Sequence, residues 1–209
     1  VMPGENPGPD QIIASNTFGL HALLRNLGAA PRLLPIARDT RASLATAFDL
    51  AAGADLVVTI GGASVGDHDL VADVTSERGM ERAFYKVAMR PGKPLMAGKR
   101  GEAAMIGLPG NPVSAMVCGT VFILPALRVM LGLPAAPVTP HTATLTADLA
   151  ANGPRQHYMR AVLDEAGIAA MDRQDSALLS VLATANALIV RPPNDPERVK
   201  GEIVEYLPL

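Results

Sequence analysis

The hydrophobic positions near the N-terminus predict two amphipathic helices. The first follows from leucines at i, i+3, i+4 and i+7 spacing, namely Leu20, Leu23, Leu24 and Leu27. Asn16 can cap this helix and Gly28 can end it. Thr40 can cap the second helix, which ends at Gly53. Between the two helices, residues 32–37 are predicted to form a short strand.

The run from Leu56 to Ile60 is the centre of the predicted fold. It is short, apolar and β-branched, which is typical of a strand buried on both faces of a parallel sheet. It stops at Gly61-Gly62, and helical spacing then resumes and ends near Gly79. A strand that passes through a glycine turn into a helix suits an anionic ligand, because unpaired backbone N–H groups point at it. The alternative is a plain turn in which Ser64 or Asp67 caps the helix.

The following segments complete an α/β pattern. Residues 83–89 alternate like a strand, 95–98 are extended, 99–102 resemble a hairpin turn, and 103–106 form a short apolar strand. A long apolar helix then runs from Val113 to Leu131 and ends at Gly132. Alternating strands and helices predict an α/β fold with a largely parallel sheet and helices on both faces.

A second, smaller domain is predicted after a proline-rich linker at Pro134, Pro137 and Pro140. Short β-like runs replace helical spacing there, at residues 142–149, 158–163, 168–171, 187–190 and 202–207. We therefore predict an α/β domain over residues 1–134 and a small β-rich, barrel-like domain over 135–209.

Composition narrows the possible functions. The formal net charge is −2, which argues against non-specific nucleic-acid binding but leaves small anionic ligands open. Aromatic residues make up 3% and hydrophobic residues 49%, so the core must consist of Ala, Val, Leu, Ile and Met. Cys118 is the single cysteine, which fits a reducing cytoplasm. No apolar run approaches the ~20 residues of a membrane span, and the N-terminus lacks a signal-peptide layout.

Three loops follow predicted strands, at residues 61–69, 90–94 and 107–112. Ligands bind at the carboxyl edge of an open α/β sheet, so we expect these loops to converge. They supply the cations Lys86, Arg90 and Lys93 and the carboxylates Asp67 and Asp69. Such a set suits a phosphorylated ligand with a divalent metal.

Each candidate also has a structural interpretation. Lys86 is equally interpreted as a solvated strand residue. Charges such as Arg90 and Lys93 in a turn of this kind are often surface charges. Pro109 and Pro112 can shape a loop and start a helix. Asp39 and Thr40 both precede the second helix, so Asp39 is as good an N-cap as a ligand.

The three loops together closely resemble the molybdopterin molybdenumtransferases, which include bacterial MoeA and the gephyrin E domain. The resemblance rests on the sequences Gly-Gly-Ala-Ser-Val-Gly-Asp-His-Asp from Gly61, Lys-Val-Ala-Met-Arg-Pro-Gly-Lys-Pro from Lys86, and Gly-Leu-Pro-Gly-Asn-Pro-Val-Ser from Gly107. It extends over residues 11–16 and 36–39 and, more faintly, over 174–176.

The resemblance implies insertion of molybdate into adenylylated molybdopterin, with release of AMP and with Mg²⁺ as the divalent metal. It implies catalytic roles for Asp69, Lys86 and Arg90, and metal binding by Asp69 and Asp67. The substrate-binding residues it implies are Gly61, Gly62, Ser64, Gly66, Asp39, Lys93, Pro109, Gly110, Asn111, Pro112 and Ser176. It also implies a cytoplasmic homodimer and, as a possible partner, a molybdopterin adenylyltransferase.

The chain departs from the family pattern in three places. Arg90 stands where lysine is usual, so the charge is kept but the geometry becomes a planar fork. Ala14 replaces a common acidic residue. The turn-rich residues 1–9 stand where a doubly wound domain would begin with a strand, so we expect a C-terminal part of a longer protein that is poorly active alone.

Two other functions remain open from the sequence. A molybdopterin adenylyltransferase shares the α/β fold and a Gly-Gly turn, but not the loop at 107–112 or the second domain. The second alternative is a non-catalytic pterin-binding or scaffold module. The presence of Asp69 and Lys86 favours the enzyme over this module.

Overall fold

The computed structural model describes residues 1–9, 11, 13–62 and 70–209, which form two compact units. Unit 1 consists of Val1–Lys86 and Pro94–Gly110, and unit 2 of Val87–Lys93 and Asn111–Leu209. Residues 87–93 and 111–134 thus group with the strands that follow them, whereas the sequence pattern assigned 1–134 to one domain. The boundary in the proline-rich linker stays a prediction.

The helices are α1 (Ser15–Asn26), α2 (Arg41–Leu50), α3 (Leu70–Glu77), α4 (Pro112–Cys118), α5 (Leu124–Met130) and α6 (Leu179–Thr184). The strands are β1 (Leu56–Ile60), β2 (Met80–Tyr85), β3 (Met89–Arg90), β4 (Met96–Arg100), β5 (Ala103–Leu108), β6 (His141–Thr144), β7 (Gln156–Asp164), β8 (Gly167–Ala170), β9 (Ala187–Arg191) and β10 (Ile203–Pro208).

Of the two helix caps predicted in unit 1, one is confirmed and one is wrong. Thr40 caps α2, and its side chain accepts a hydrogen bond from the Ser43 N–H at 3.2 Å. Asn16 does not cap α1, because the helix begins one residue before it and Ala14 occupies the N-cap position. The Asn16 side chain is therefore available for a tertiary contact.

The sheet of unit 1 is mixed rather than largely parallel. Its order is β1-β5-β4-β2, in which β1 pairs with β5 in parallel and the other two pairs are antiparallel. The two-residue connection Gly101-Glu102 imposes the antiparallel pairing of β4 with β5, because such a short turn joins antiparallel strands. Gly101 has φ +59°, in the left-handed region that a tight hairpin requires. The α/β class itself is confirmed.

Two strand predictions in unit 1 are wrong in detail. All five residues of β1 are half-buried rather than buried, because β1 lies at the edge of the described sheet and pairs with β5 alone among the described strands. Residues 32–37 are not a strand. Pro35 lies within them, and proline has no N–H to donate to a ladder.

The core of unit 1 is built mainly from aliphatic and methionine side chains, and Phe48 is the exception to the expectation from composition. Buried residues from α2, α3 and three strands form one cluster, consisting of Leu44, Phe48, Val71, Val74, Met80, Met96 and Met105. Three methionines in this cluster supply the flexible volume that larger proteins often obtain from aromatic rings.

Unit 2 contains a barrel-like ring of strands, which confirms the predicted small β-rich domain. The order is β3-β7-β9-β10-β6, and β8 pairs with the other part of β7. The ring closes where Leu145, just after β6, bridges Ile168 in β8. The Thr146 N–H donates to the Ile168 carbonyl at 3.0 Å at this closure. The short strand β3 pairs with β7 in parallel, which explains why residues 87–93 belong to unit 2.

Helices α4 and α5 of unit 2 are joined by a π-helical turn at Gly119–Ile123. The Leu124 N–H bonds to the Gly119 carbonyl five residues earlier. Pro125 follows directly, and its ring would clash with the carbonyl four residues before it in a regular α-helix. The widened turn thus accommodates this proline within a continuous helix.

The segment Pro112–Met130 is long and apolar enough to cross a membrane by length and composition, and 18 of its 19 residues have a mean hydropathy of 1.9. The expectation that no apolar run approaches this length is therefore wrong. Half of the segment is buried within the protein, and Val113, Val117 and Ile123 are completely so. A core helix of a folded domain has the same properties.

Candidate functional site

Part of the predicted site falls outside the described residues. These positions are Ser64, Gly66, Asp67 and Asp69, together with their neighbour His68. The roles assigned to them from the sequence stay predictions. The remaining candidates lie in both units.

Unit 1 brings two of the three predicted loops together. The Gly61 N–H donates to the Leu108 carbonyl at 2.9 Å, which extends the parallel β1–β5 ladder beyond the strands. A Cβ on Gly110 would meet the Gly61 Cα at 3.4 Å, so the two glycine turns touch through their backbones. A Cβ on Gly62 would lie 2.3 Å from a Val71 methyl. A side chain at Gly62 would therefore displace Val71, whereas the approach of Gly61 to Gly110 is an ordinary van der Waals contact. The predicted approach of these turns to an anionic ligand stays a prediction.

Asn16 joins these turns, although the sequence pattern assigned it only a capping role. Its side-chain Nδ2 donates to the Gly110 carbonyl at 2.6 Å. This bond fixes an exposed glycine that directly follows the buried Pro109. The signal that could have identified Asn16 is the resemblance over residues 11–16, because its partner lies 94 positions away along the chain.

Lys86 occupies a strained backbone position at the end of β2. Its φ is +69°, a left-handed conformation that is uncommon for residues with a Cβ. Its N–H donates to the Leu95 carbonyl at 2.8 Å, and its Nζ lies 5.0 Å from the centre of the Tyr85 ring. The side chain is exposed, so the ammonium is accessible to a ligand. Strain of this kind is often found where a side chain must be presented precisely.

Asp39 is exposed in unit 1, directly before the residue that caps α2. Because Thr40 takes the cap, the Asp39 carboxylate is not used for it. Its proposed substrate contact remains a prediction.

Residues 90–93 of the remaining loop belong to unit 2, and this part of the loop is packed tightly beneath its two cations. Arg90 and Lys93 are exposed, whereas Pro91 and Gly92 between them are buried. Gly92 has φ +111°, and a Cβ there would lie 2.5 Å from the Cys118 sulfur. Burial raises the pKa of the Cys118 thiol to about 12, so this thiol is a packing group rather than a nucleophile.

Asn111 and Ser176, both predicted substrate-binding residues, are in contact within unit 2. The Asn111 Nδ2 donates to the Ser176 Oγ at 3.0 Å. The Val113 N–H, in the first turn of α4 after Pro112, donates to the Ser176 carbonyl at 3.2 Å. The faint sequence resemblance around residue 176 therefore coincides with a direct contact to the loop that begins α4.

Two buried polar residues on β7 were not found from the sequence. Arg160 has no exposed surface and His157 is 6% exposed. Within the described part of the chain, the Arg160 Nε and Nη1 and the His157 Nε2 have no hydrogen-bond partner. Arg90 lies close enough to act electrostatically on both. The available signal was the presence of His157 and Arg160 among the apolar residues of this strand.

Burial and the positive charges of Arg90, Arg160, Arg191 and Arg155 lower the pKa of His157 from 6.5 to about 4. The folded state keeps this imidazole neutral, while the unfolded chain protonates it near its ordinary pKa. Its contribution to stability is therefore complete above pH 6.5 and decreases as the pH falls toward 4.

We expect replacement of His157 by glutamine to remove part of the acid sensitivity of folding. The wild-type free energy of unfolding should fall by about 3 kcal/mol more than that of His157→Gln between pH 7 and pH 4. Denaturant titrations at several pH values measure this difference. Parallel curves for the two proteins would show that His157 is not held neutral.

The described residues contain no group of three or more His, Cys, Asp or Glu side chains that could hold a metal ion. The predicted metal ligands Asp67 and Asp69 are outside this part of the chain.

Comparisons with known proteins match both regions of the chain. Residues 4–129 match the model of a family described as the probable molybdopterin binding domain. Residues 142–209 match the MoeA C-terminal region, called domain IV. The proline-rich linker predicted from the sequence falls largely between these two regions.

Individual relatives support the same grouping. The chain is 39% identical over 212 residues to molybdopterin molybdenumtransferase 2 of Mycobacterium tuberculosis, covering 96% of this chain and 52% of the relative. It is 30% identical to the molybdopterin molybdenumtransferase of Bacillus subtilis, covering 95% and 47%. The crystal structure of a molybdopterin biosynthesis MoeA protein from Pyrococcus horikoshii superposes with a TM-score of 0.82 at 27% identity, covering 99% and 50%. The chain spans about half the length of the curated relatives it matches.

Proposed function

Since the chain belongs to the MoeA family, we propose that it acts in molybdenum cofactor biosynthesis by inserting molybdate into adenylylated molybdopterin with release of AMP. The observation that carries this proposal is the match to a molybdopterin binding domain followed by the MoeA C-terminal region. That second match favours this reaction over the molybdopterin adenylyltransferase alternative, which was not expected to have a second domain.

The reaction explains why cations and backbone amides are needed. Cleavage of the phosphoanhydride develops negative charge on the departing AMP, and molybdate is itself a tetrahedral dianion. We propose that Lys86, Arg90 and Lys93 neutralise these charges. The exposed position of all three side chains supports this role.

We further propose that the glycine turns bind the pterin phosphate through backbone N–H groups. The contact between the Gly61 and Gly110 backbones supports this, because it brings the two turns together, and Gly61 has φ +78°, which glycine adopts without strain. The remaining proposed substrate-binding residues are Gly62, Ser64, Gly66, Asp39, Pro109, Asn111, Pro112 and Ser176.

Asp67 and Asp69 are the residues we propose to hold Mg²⁺. Carboxylate oxygens are the ligands that this hard cation prefers, so the donor chemistry fits. When bound, the ion would neutralise phosphate charge. We also propose that the protein acts as a cytoplasmic homodimer and receives its adenylylated substrate from a molybdopterin adenylyltransferase.

The direct test is release of AMP from adenylylated molybdopterin, with and without molybdate. The enzyme for this test is the full protein, meaning the longer protein that we expect to contain this chain. We expect AMP release that depends on molybdate, and much slower release by the 209-residue chain alone. Consumption of ATP to adenylylate molybdopterin would instead identify the adenylyltransferase activity. Tight binding of the pterin without AMP release would identify a binding module.

Lys86→Gly separates the function of the side chain from the strain of its backbone. Glycine adopts φ +69° without steric cost, so the free energy of unfolding should stay unchanged or rise by at most about 1 kcal/mol. Loss of the ammonium should nevertheless reduce AMP release roughly 10²-fold.

The matched control is Lys99→Gly, in the regular strand β4. This variant should lose about 1 kcal/mol of stability and keep its activity. A Lys86→Gly protein that remained fully active would rule out a role for the ammonium.

A further inference from the structure

Gln174 connects the loop before Ser176 firmly to strand β7. Its Oε1 accepts from the Arg160 N–H at 3.0 Å, and its Nε2 donates to the Arg160 carbonyl at 2.9 Å and the Met171 carbonyl at 2.7 Å. The acceptor and both donors of this amide are thus bonded to backbone groups. Its orientation is therefore fixed.

Arg160 holds the next residue of the same loop. Its Nη2 donates to the Asp175 carbonyl at 3.2 Å, while its Nε and Nη1 have no partner among the described residues. A completely buried guanidinium with unpaired donors is unfavourable for stability. Burial and the charge of Arg90 accordingly lower the pKa of Arg160. A contribution to stability is a poor explanation for a charge in this place, whereas fixing the loop is a direct one.

The loop held in this way presents Ser176 to the start of α4. The Ser176 carbonyl accepts from the Val113 N–H, and its Oγ accepts from the Asn111 Nδ2. Because the Oγ accepts this bond, its own hydrogen is free to be donated to another acceptor. The direction of that hydrogen depends on the position of the loop backbone.

We propose that Gln174 and Arg160 are positioning residues that fix Ser176, and with it Asn111, in the geometry needed to bind substrate. This inference rests on the proposed function of Ser176 and Asn111. Neither Gln174 nor Arg160 needs to touch substrate for this role. Their effect passes through the backbone of residues 174–176.

The test compares Gln174→Met with Asn186→Leu in the full protein. Asn186 makes an equivalent pair of backbone bonds to β7, accepting from the Leu163 N–H at 2.8 Å and donating to the Leu163 carbonyl at 2.9 Å. Both substitutions replace the amide by an apolar side chain of similar length and remove a similar anchor. We expect Gln174→Met to raise the KM for molybdate about 10-fold, and Asn186→Leu to leave it unchanged. Faster amide exchange in residues 175–177 should accompany the first variant alone.

A cycle with Ser176→Ala shows whether Gln174 acts through Ser176. We expect Gln174→Met to have no further effect on the KM once Ser176 is alanine. Arg160→Met should raise the KM as Gln174→Met does, without lowering the melting temperature.

Equal effects of Gln174→Met and Asn186→Leu, or additive effects in the cycle, would overturn the positioning role. If Ser176→Ala is impaired but Gln174→Met is normal, the positioning role fails and the proposed function stands. If Ser176→Ala itself binds and reacts normally, the assignment of Ser176 in the proposed function is wrong, and the positioning role falls with it.

Discussion

Replacement of Asp69 by asparagine is expected to reduce molybdate-dependent AMP release by roughly 10²–10³-fold while adenylylated molybdopterin still binds. Asparagine keeps the size of the side chain but not its charge, so it cannot balance a divalent cation or a proton in the same way. Substrate affinity should change little, because the proposed phosphate contacts come from amides and cations elsewhere. Asp69→Ala should give the same result. Separate measurement of substrate binding and of AMP release checks both parts.

Asp73→Asn is the matched control for this experiment. Asp73 lies in the first turn of α3 and is exposed, and its carboxylate is 3.8 Å from Arg41 at the surface. Exposed ion pairs of this kind contribute little to stability. The control should therefore be fully active. Normal turnover by Asp69→Asn would remove Asp69 from the catalytic residues.

Gly92→Ala is expected to destabilise the protein by about 3–5 kcal/mol. The added Cβ would lie 2.5 Å from the Cys118 sulfur and 3.2 Å from the Met89 terminal methyl, and both neighbours are buried. The backbone also has φ +111°, which a residue with a Cβ rarely adopts. These close contacts are relieved only if the loop that carries Arg90 and Lys93 moves. We therefore expect the activity to fall together with the stability. Chemical denaturation of the variant measures the loss.

Two further variants separate crowding from backbone strain. Gly132→Ala has φ +79° with open space around its Cβ, so it should cost only about 1–2 kcal/mol. Combining Gly92→Ala with Cys118→Ala removes the nearest atom, and the double variant should be more stable than the sum of its single changes predicts. A cost for Gly92→Ala no greater than that for Gly132→Ala would show that the loop yields easily.

The sequence predicted those elements whose local pattern agrees with their tertiary environment. Strand β1 was located to the residue, and all five β-like runs after residue 140 correspond to strands. Thr40 was identified as a cap because capping is a local hydrogen bond. In contrast, residues 32–37 have a strand-like composition but no ladder in the structure. Pairing with a neighbour, which a single run of residues does not encode, decides such cases.

In the candidate site, too, the sequence revealed the features that depend on local structure and missed those that depend on tertiary contacts. Glycine turns were recognisable because a close backbone approach leaves few other residue types possible. The contacts of Asn16 with Gly110 and of Asn111 with Ser176 join residues 94 and 65 positions apart, so spacing along the chain could not reveal them. Gln174 was likewise noticed only as part of a faint resemblance. Its function as an anchor depends on the neighbouring strand.

The edges of the two sheets differ in whether they can pair with a strand of another molecule. The ring in unit 2 closes through Leu145 and Ile168 and so satisfies backbone groups that would otherwise face solvent. In unit 1, β1 is apolar and half-exposed, and of the described strands β5 alone pairs with it. We expect its outer side to accept an added strand, so that concentrated solutions of this chain self-associate through unit 1.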